Sequence, residues 1–212
     1  MADLDKLYQA VLNGDAKAAA AVTRQAIDEG MDPLALVQGT MVPAMGEVGK
    51  RFEADEYFVP ELLLSARAMK GSLELLRPLL AGRDAASAGR VAIGTVQGDL
   101  HDIGKNLVAA MLEGGGFEVI DLGTDVPPQK FVDAIQQKGA QIVALSALLT
   151  VTMASMTKTI EALTAAGVRD RVKVIVGGAP VTQQYADAIG ADGYSENASS
   201  AVALARRLCG AP

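Results

Sequence analysis

The side chain with the most specific chemistry in this sequence is His101, the only histidine among 212 residues. Carboxylates lie two residues before it, at Asp99, and directly after it, at Asp102. An imidazole can bind a metal ion through one ring nitrogen while its other nitrogen donates a hydrogen bond to a carboxylate. Zinc requires several protein ligands, and the chain's one cysteine, Cys209, cannot supply a cysteine-based site. A metal at His101 is therefore predicted to be one already held by a macrocycle, with histidine as an axial ligand.

His101 lies between a predicted strand and a predicted helix. Residues 90–96 are short, apolar and rich in β-branched side chains, as in a buried strand, and apolar residues recur at helical spacing from Lys105 to Glu113. In an open α/β sheet, ligands bind at loops that leave the carboxyl ends of strands. Two later loops at the same sheet edge carry hydroxyls that can bond a polar ligand and glycines that allow close approach: Ser146, Thr150, Thr152, Gly177 and Gly178.

Each of these signals is, by itself, also common in a purely structural role. Lone histidines often lie on the surface, glycine pairs often form turns, and serine or threonine often caps a helix. Only their combination favours a functional site.

The second half of the chain alternates between strand and helix patterns. Strands are predicted at 90–96, 117–122, 141–145, 172–176 and, as a short fifth strand, 191–194. Helices are predicted from about 104, from 127 or 128 to 138, at 152–166, after 180 and at 197–208. This alternation predicts an α/β fold with a doubly wound parallel, flavodoxin-like Rossmann sheet.

Residues 1 to about 82 contain helix patterns alone. Four amphipathic helices with short connections predict a small helical bundle, and Pro43 predicts a kink or break in the third helix. Small and polar residues then indicate a linker. The predicted organisation is a helical domain at 1–84, a linker at 85–89 and a Rossmann-like domain at 90–212.

Composition excludes several classes of function. The net charge of −6 and the absence of a basic cluster argue against nucleic-acid binding. The first residues lack the pattern of a signal peptide, and no apolar run reaches the length needed to span a bilayer. These features predict a soluble cytoplasmic protein.

Three segments together resemble a known family. The pattern Asp99-x-His101-x-x-Gly104, then Ser146-x-Leu148, then Gly177-Gly178, is similar to the signature of cobalamin-binding domains that take the cofactor base-off and His-on. The spacings also agree, with 41 residues between the first two segments and 28 between the last two.

The N-terminal half extends this resemblance over nearly the whole chain. Residues 48–52, 57–61 and 65–69 are similar to the helical cap over the corrin in cobalamin-dependent methionine synthase. The same pair of domains, standing alone, is typical of corrinoid proteins in methanogen and acetogen methyltransferase systems.

The resemblance implies a role for each matching residue. His101 would be the lower axial cobalt ligand, Asp99 would hydrogen-bond it, and Thr152, where the family often has serine, would support Asp99. Phe52 and Val59 would shield the upper face of the corrin; methionine synthase has leucine in place of Val59. The remaining cofactor-binding residues would be those of the histidine loop, Gly98, Leu100, Asp102, Ile103 and Gly104, and those of the slot for the displaced nucleotide tail, Ser146, Leu148, Thr150, Gly177 and Gly178.

The resemblance implies a corrinoid methyl carrier. Its Co(I) would accept a methyl group from a methylated donor through a substrate:corrinoid methyltransferase. It would pass the group on, as methyl-Co(III), to tetrahydrofolate or coenzyme M through a second methyltransferase, with a reductive activation protein as a further partner. The chain would be a non-catalytic subunit, since nothing in it resembles a substrate domain.

Two alternatives remain from other classes. A cobalamin-binding sensor or regulator shares the domain pair, but such regulators also carry a basic DNA-binding domain. The small subunit of an adenosylcobalamin mutase generally lacks the helical cap. The sequence does not indicate the methyl donor, since methanol, methylamines, methylthiols, glycine betaine and aromatic methyl ethers all have corrinoid proteins of this build.

Overall fold

The structure is a computed structural model that describes residues 2–80 and 88–210. Two compact units are present: a helical unit, the described part of Met1–Ser87 with Glu113–Gly116, and a sheet unit, Ala88–Leu112 with the described part of Phe117–Pro212. The predicted domain boundary at 84 and residues 85–87 of the predicted linker lie outside the described residues.

The helical unit contains the predicted bundle. Asp3, Asp15 and Asp32 each accept a backbone hydrogen bond at a helix start, as expected for aspartate caps. The helices are α1 (Leu4–Leu12), α2 (Ala16–Asp28), α3 (Pro33–Leu36), α4 (Val42–Glu53) and α5 (Val59–Leu80). The fully buried side chains of this unit include Leu7, Leu36, Met41, Leu62, Met69 and Leu76.

A π-helical turn joins α3 to α4. Pro43 has no N–H with which to bond the carbonyl four residues back. Val37–Met41 widen into a π turn in which the Val42 N–H bonds the Val37 carbonyl. The predicted third helix is therefore continuous from α3 to α4, and the irregularity predicted at Pro43 takes the form of this turn.

The sheet unit is built from five strands and the helices between them. All strand pairs are parallel and the strand order is β2-β1-β3-β4-β5. The strands are β1 (Arg90–Thr95), β2 (Glu118–Asp121), β3 (Ile142–Ser146), β4 (Lys173–Gly177) and β5 (Gly193–Ser195). The helices are α6 (Ile103–Gly114), α7 (Pro128–Lys138), α8 (Ala154–Ala165), α9 (Gln183–Ala188) and α10 (Ala198–Cys209), with a 3-10 turn at Arg169–Arg171.

Two apolar clusters cover the two faces of the sheet. One contains Phe131 of α7 together with Met156 and Leu163 of α8. The other contains Leu112 of α6 and Leu204 of α10. Because helices pack on both faces, the sheet is doubly wound and the predicted fold class is confirmed. Element ends differ by one to three residues; the predicted strand at 191–194, for example, lies at Gly193–Ser195.

The strand register brings the predicted loops to one edge. Thr95 of β1 is level with Ser146 of β3, which is level with Gly177 of β4. β1 and β3 are neighbours, but the chain leaves β1 for one side of the sheet and β3 for the other. The loops after β1 and β3 therefore flank the switch point at which open α/β sheets bind ligands.

Candidate functional site

Asp99 is the centre of the hydrogen-bond network at this switch point. Its side chain is fully buried. Oδ1 accepts hydrogen bonds from the backbone N–H of His101 at 3.1 Å and from His101 Nδ1 at 2.7 Å. Oδ2 accepts from the backbone N–H groups of Leu148 and Leu149 at 2.8 and 3.3 Å, and from Thr152 Oγ1 at 2.7 Å. One carboxylate thus joins the loops after β1 and β3.

These donors keep Asp99 ionised. Burial by itself raises the pKa of a carboxyl group, but hydrogen bonds from Thr152, Leu148 and His101 outweigh burial and hold the pKa of Asp99 well below its ordinary value. A carboxylate only accepts hydrogen bonds, so the proton shared with His101 is assigned to Nδ1. In the neutral imidazole the other ring nitrogen, Nε2, then carries a lone pair. About half of the His101 side chain is exposed, which leaves the ring accessible to a ligand.

The backbone of the histidine loop, residues 98–102, is held at several points. The hydroxyl of Thr95, a fully buried residue at the end of β1, donates to the His101 carbonyl at 2.7 Å. Asp125, in the loop after β2, accepts from the Gly98 N–H and donates its own N–H to the Asp99 carbonyl. The Asp102 carbonyl accepts from the Asn106 N–H in the first turn of α6.

Large apolar side chains around His101 are exposed. Ile103 is 84% exposed, Val151 80% and Leu100 74%. Such a group of exposed apolar side chains marks a surface for a ligand or partner with apolar area. The same surface includes Leu148 and Leu149 from the loop after β3, whose side chains are about two-fifths exposed.

The residues predicted for the nucleotide slot lie at the ends of β3 and β4. Ser146 is the last residue of β3, Thr150 is exposed in the loop that follows, and Gly177 ends β4. Gly178 has φ +126°, and a Cβ there would lie 1.9 Å from the Ala147 carbonyl oxygen. Glycine is therefore required at position 178 for the close approach of this backbone to that of Ala147, independently of any ligand.

The two residues predicted to shield the corrin belong to the helical unit. Phe52 is in the last turn of α4 and is half-buried. Val59 is the first residue of α5 and is exposed, as is its neighbour Phe58 at 62%. Phe58, which the sequence patterns did not single out as a binding residue, presents the largest apolar side chain of this segment.

Comparison with known proteins agrees with this geometry. Two family models, both described as a B12 binding domain, match residues 3–77 and 89–203. A corrinoid protein of Desulfitobacterium hafniense (strain Y51) is 43% identical over 213 residues, which cover 99% of each chain. The chain belongs to the corrinoid-protein family.

Other proteins similar to this corrinoid protein are named for a methylamine or belong to a methyltransferase complex. Trimethylamine corrinoid protein 1 of Methanosarcina acetivorans is 44% identical over 205 residues, covering 96% of this chain and 95% of that protein. The crystal structure of a methanol:cobalamin methyltransferase complex from Methanosarcina barkeri matches with a TM-score of 0.85 and 28% identity, covering 99% of this chain and 80% of that one. The predicted family and corrinoid cofactor are confirmed.

The residues of the sheet unit fit a corrinoid. Among residues 2–80 and 88–210, no three His, Cys, Asp or Glu side chains are grouped so as to hold a metal ion. A corrin would supply the remaining ligands of a cobalt held by His101. Nε2 of the neutral His101 ring would hold the cobalt, and the exposed apolar side chains would contact the macrocycle. Within the described chain, no helix is long and apolar enough to cross a membrane.

Sequence patterns missed several groups that shape this site. The Leu148 and Leu149 donors are backbone N–H groups, and residue type carries no signal for them. The strand pattern identifies Thr95 only as a residue of β1. A hydroxyl at the end of a strand that precedes a ligand loop is, however, a signal from which a contact to that loop can be predicted. Asp125 is separated from the loop by β2 and was not singled out.

Thr152 gives a first testable prediction. Thr152→Val keeps the size of the side chain but removes the hydroxyl that donates to the buried Asp99 carboxylate. We expect the free energy of unfolding to fall by about 1–3 kcal/mol, because a buried charged acceptor loses a donor. Urea denaturation of the cofactor-free protein measures this change. Thr152→Ser, which keeps the hydroxyl, is the matched control, and equal losses in both variants would contradict the role of the hydrogen bond.

Proposed function

We propose that this corrinoid protein is the methyl-carrier subunit of a multi-component methyltransferase system. The observation that carries the proposal is the hydrogen-bonded series Thr152–Asp99–His101, which assigns a free lone pair to Nε2 on an apolar surface. When bound, the corrinoid cobalt supplies a strong nucleophile for a methyl group.

One histidine and its hydrogen-bonded neighbours would hold the cobalt. His101 Nε2 is the proposed ligand, and the Asp99 carboxylate orients the ring and holds the proton on Nδ1. Thr152 and the two backbone N–H groups fix Asp99 in turn. These contacts preset the ring, so that ligation needs little rearrangement.

The upper face and the nucleotide tail are assigned to other residues. We propose Phe52 and Val59 as residues of the helical unit that contact the corrin. The nucleotide tail is assigned to the carboxyl ends of β3 and β4, at Ser146, Leu148, Thr150, Gly177 and Gly178. The remaining cofactor contacts are assigned to Gly98, Leu100, Asp102, Ile103 and Gly104.

The proposed methyl donor is delivered by a substrate:corrinoid methyltransferase. Methylamines are the first donors to test, because the trimethylamine relative is 44% identical whereas the methanol-system structure is 28% identical. The proposed acceptor is tetrahydrofolate or coenzyme M, reached through a second methyltransferase, and a reductive activation protein is the third proposed partner.

A methyl-transfer assay tests this function. The protein is loaded with cobalamin, reduced and mixed with each methylated donor and its candidate methyltransferase, and the visible spectrum is followed. We expect one donor and methyltransferase pair to methylate the protein-bound corrinoid faster than free cobalamin at the same concentration. The second methyltransferase should then remove the methyl group.

One pattern of results would contradict the methyl-carrier function. In that pattern, no pair of donor and methyltransferase methylates the protein-bound corrinoid, and illumination of the adenosylcobalamin complex changes the oligomeric state of the protein. That pattern would instead support a cobalamin-binding sensor.

A further inference from the structure

Asp125 has an unusual backbone conformation beside the histidine loop. Its φ is +51°, and Asp55 is the one other non-glycine residue with positive φ among the described residues. This left-handed region disfavours most side chains, although aspartate and asparagine tolerate it better than others. Strained backbone of this kind persists where the surrounding structure enforces it, and it is often found at functional sites.

The surrounding structure that enforces this conformation is the end of β1. The Thr95 N–H donates to the Gly123 carbonyl, and the Val126 N–H donates to the Thr95 carbonyl, both at 3.0 Å. Asp125 lies between these two anchor points. Its position is therefore set by the buried residue whose hydroxyl also holds the His101 carbonyl.

From this position Asp125 makes two hydrogen bonds to the histidine loop. Its Oδ1 accepts from the Gly98 N–H at 2.7 Å, and its backbone N–H donates to the Asp99 carbonyl at 2.9 Å. The side chain of Asp99 already holds the His101 ring. Asp125 thus fixes the backbone of the residue that orients the proposed ligand.

We propose that Asp125 is a positioning residue that presets the Gly98–Asp99 backbone so that His101 is aligned to ligate the corrinoid cobalt. The residue acts through Asp99 and need not touch the cofactor. The inference rests on the proposed ligand role of His101. Its basis is the combination of an enforced positive φ and two hydrogen bonds to consecutive loop residues.

Two substitutions separate the hydrogen bond from the backbone strain. Asp125→Gly removes the acceptor but readily adopts positive φ, so the loop can keep its path. Asp125→Asn keeps an acceptor oxygen and a tolerance for positive φ, and removes the charge alone. Asp55→Gly, in the helical unit at φ +58°, is a matched control for relief of strain without loss of a contact to the histidine loop.

The test measures cofactor ligation and stability in the same samples. Each full-length variant, without a histidine tag, is labelled with 15N-histidine and titrated with cobalamin in the Co(II) form. The dissociation constant is obtained from the visible spectrum, and electron paramagnetic resonance reports the share of cobalt coupled to the labelled nitrogen. Thermal unfolding of the cofactor-free variants reports stability.

We expect Asp125→Gly to raise the dissociation constant roughly three- to tenfold, the effect of one hydrogen bond, and to lower the share of 15N-coupled cobalt. Asp125→Asn should restore both values, and Asp55→Gly should leave both unchanged. A purely structural role would instead lower the Tm of Asp125→Gly and leave the 15N-coupled share as in the wild type.

Failure of this inference is distinct from failure of the proposed function. The role of Asp125 alone would be overturned by one pair of results. The wild type would show coupling of cobalt to 15N, and Asp125→Gly would show the same dissociation constant and the same fraction of 15N-coupled cobalt. No coupling to 15N in the wild type would overturn the ligand role of His101, and this inference with it.

Discussion

Replacing His101 with alanine is expected to weaken cobalamin binding by about tenfold or more, the scale of loss seen when metal-site residues are removed. The same change should alter the free energy of unfolding of the cofactor-free protein by less than about 1 kcal/mol. The half-exposed ring donates one hydrogen bond to Asp99 Oδ1. In the His101→Ala variant water can reach this oxygen, which also keeps the backbone N–H of residue 101 as a donor, so the fold depends little on the ring. Titration with cobalamin and urea denaturation measure the two effects.

Added imidazole provides the control for His101→Ala. A free imidazole can supply the missing nitrogen, so it should restore part of the spectrum of the loaded wild type. Unchanged cobalamin affinity and an unchanged spectrum in His101→Ala would mean that the ring does not ligate cobalt. A large loss of stability would instead assign His101 to the fold.

Replacing Asp99 with alanine is expected to lower the stability of the fold strongly, whereas His101→Ala should change it little. The carboxylate accepts from the Leu148 and Leu149 N–H groups and from the Thr152 hydroxyl. Alanine leaves the two N–H groups without their acceptor, whereas the hydroxyl keeps the Leu149 carbonyl. We expect the free energy of unfolding of the cofactor-free protein to fall by about 3–5 kcal/mol. Urea denaturation provides the measurement.

Asp99→Asn sharpens this test. Asparagine keeps one acceptor oxygen, so it can satisfy the donors of one loop but not those of both. We expect its loss of stability to lie between the wild type and Asp99→Ala. A loss below about 1 kcal/mol in Asp99→Ala would show that water or a rearranged loop satisfies these donors, and that Asp99 does not hold the two loops together.

The sequence predicted the fold well because its signals are local. Apolar periodicity located the helices and strands, and α7 ends at Lys138 as predicted, with Gly139 after it in the left-handed conformation. Pro43 predicted an irregular third helix, but not its form, because either a kink or a π turn accommodates a missing N–H. Strand order depends on contacts between distant segments and was predicted only through the flavodoxin-like fold class, whose order the structure has.

The residues of the site were predicted less completely than the fold. Asp99, His101 and Thr152 were singled out by type and spacing, and the structure places them in one hydrogen-bonded series. Thr95 acts through its hydroxyl on a carbonyl six residues later, a strand-end signal that the sequence patterns do not use. Asp125 reaches the loop from beyond β2, so no local spacing identifies it. Gly178 was assigned to a ligand slot, and its own backbone contact with Ala147 also accounts for a glycine there.

His101 is the only histidine in the chain, so isotopic labelling of histidine reports directly on its ligation of cobalt. The untagged protein is prepared with 15N-histidine, loaded with cobalamin in the Co(II) form and examined by electron paramagnetic resonance. Unlabelled axial nitrogen splits the cobalt lines into triplets, and 15N splits them into doublets. We expect doublets in the labelled protein, because His101 supplies the axial nitrogen. Triplets that persist after labelling would show that the nitrogen comes from the cofactor's own base, and would contradict ligation by His101.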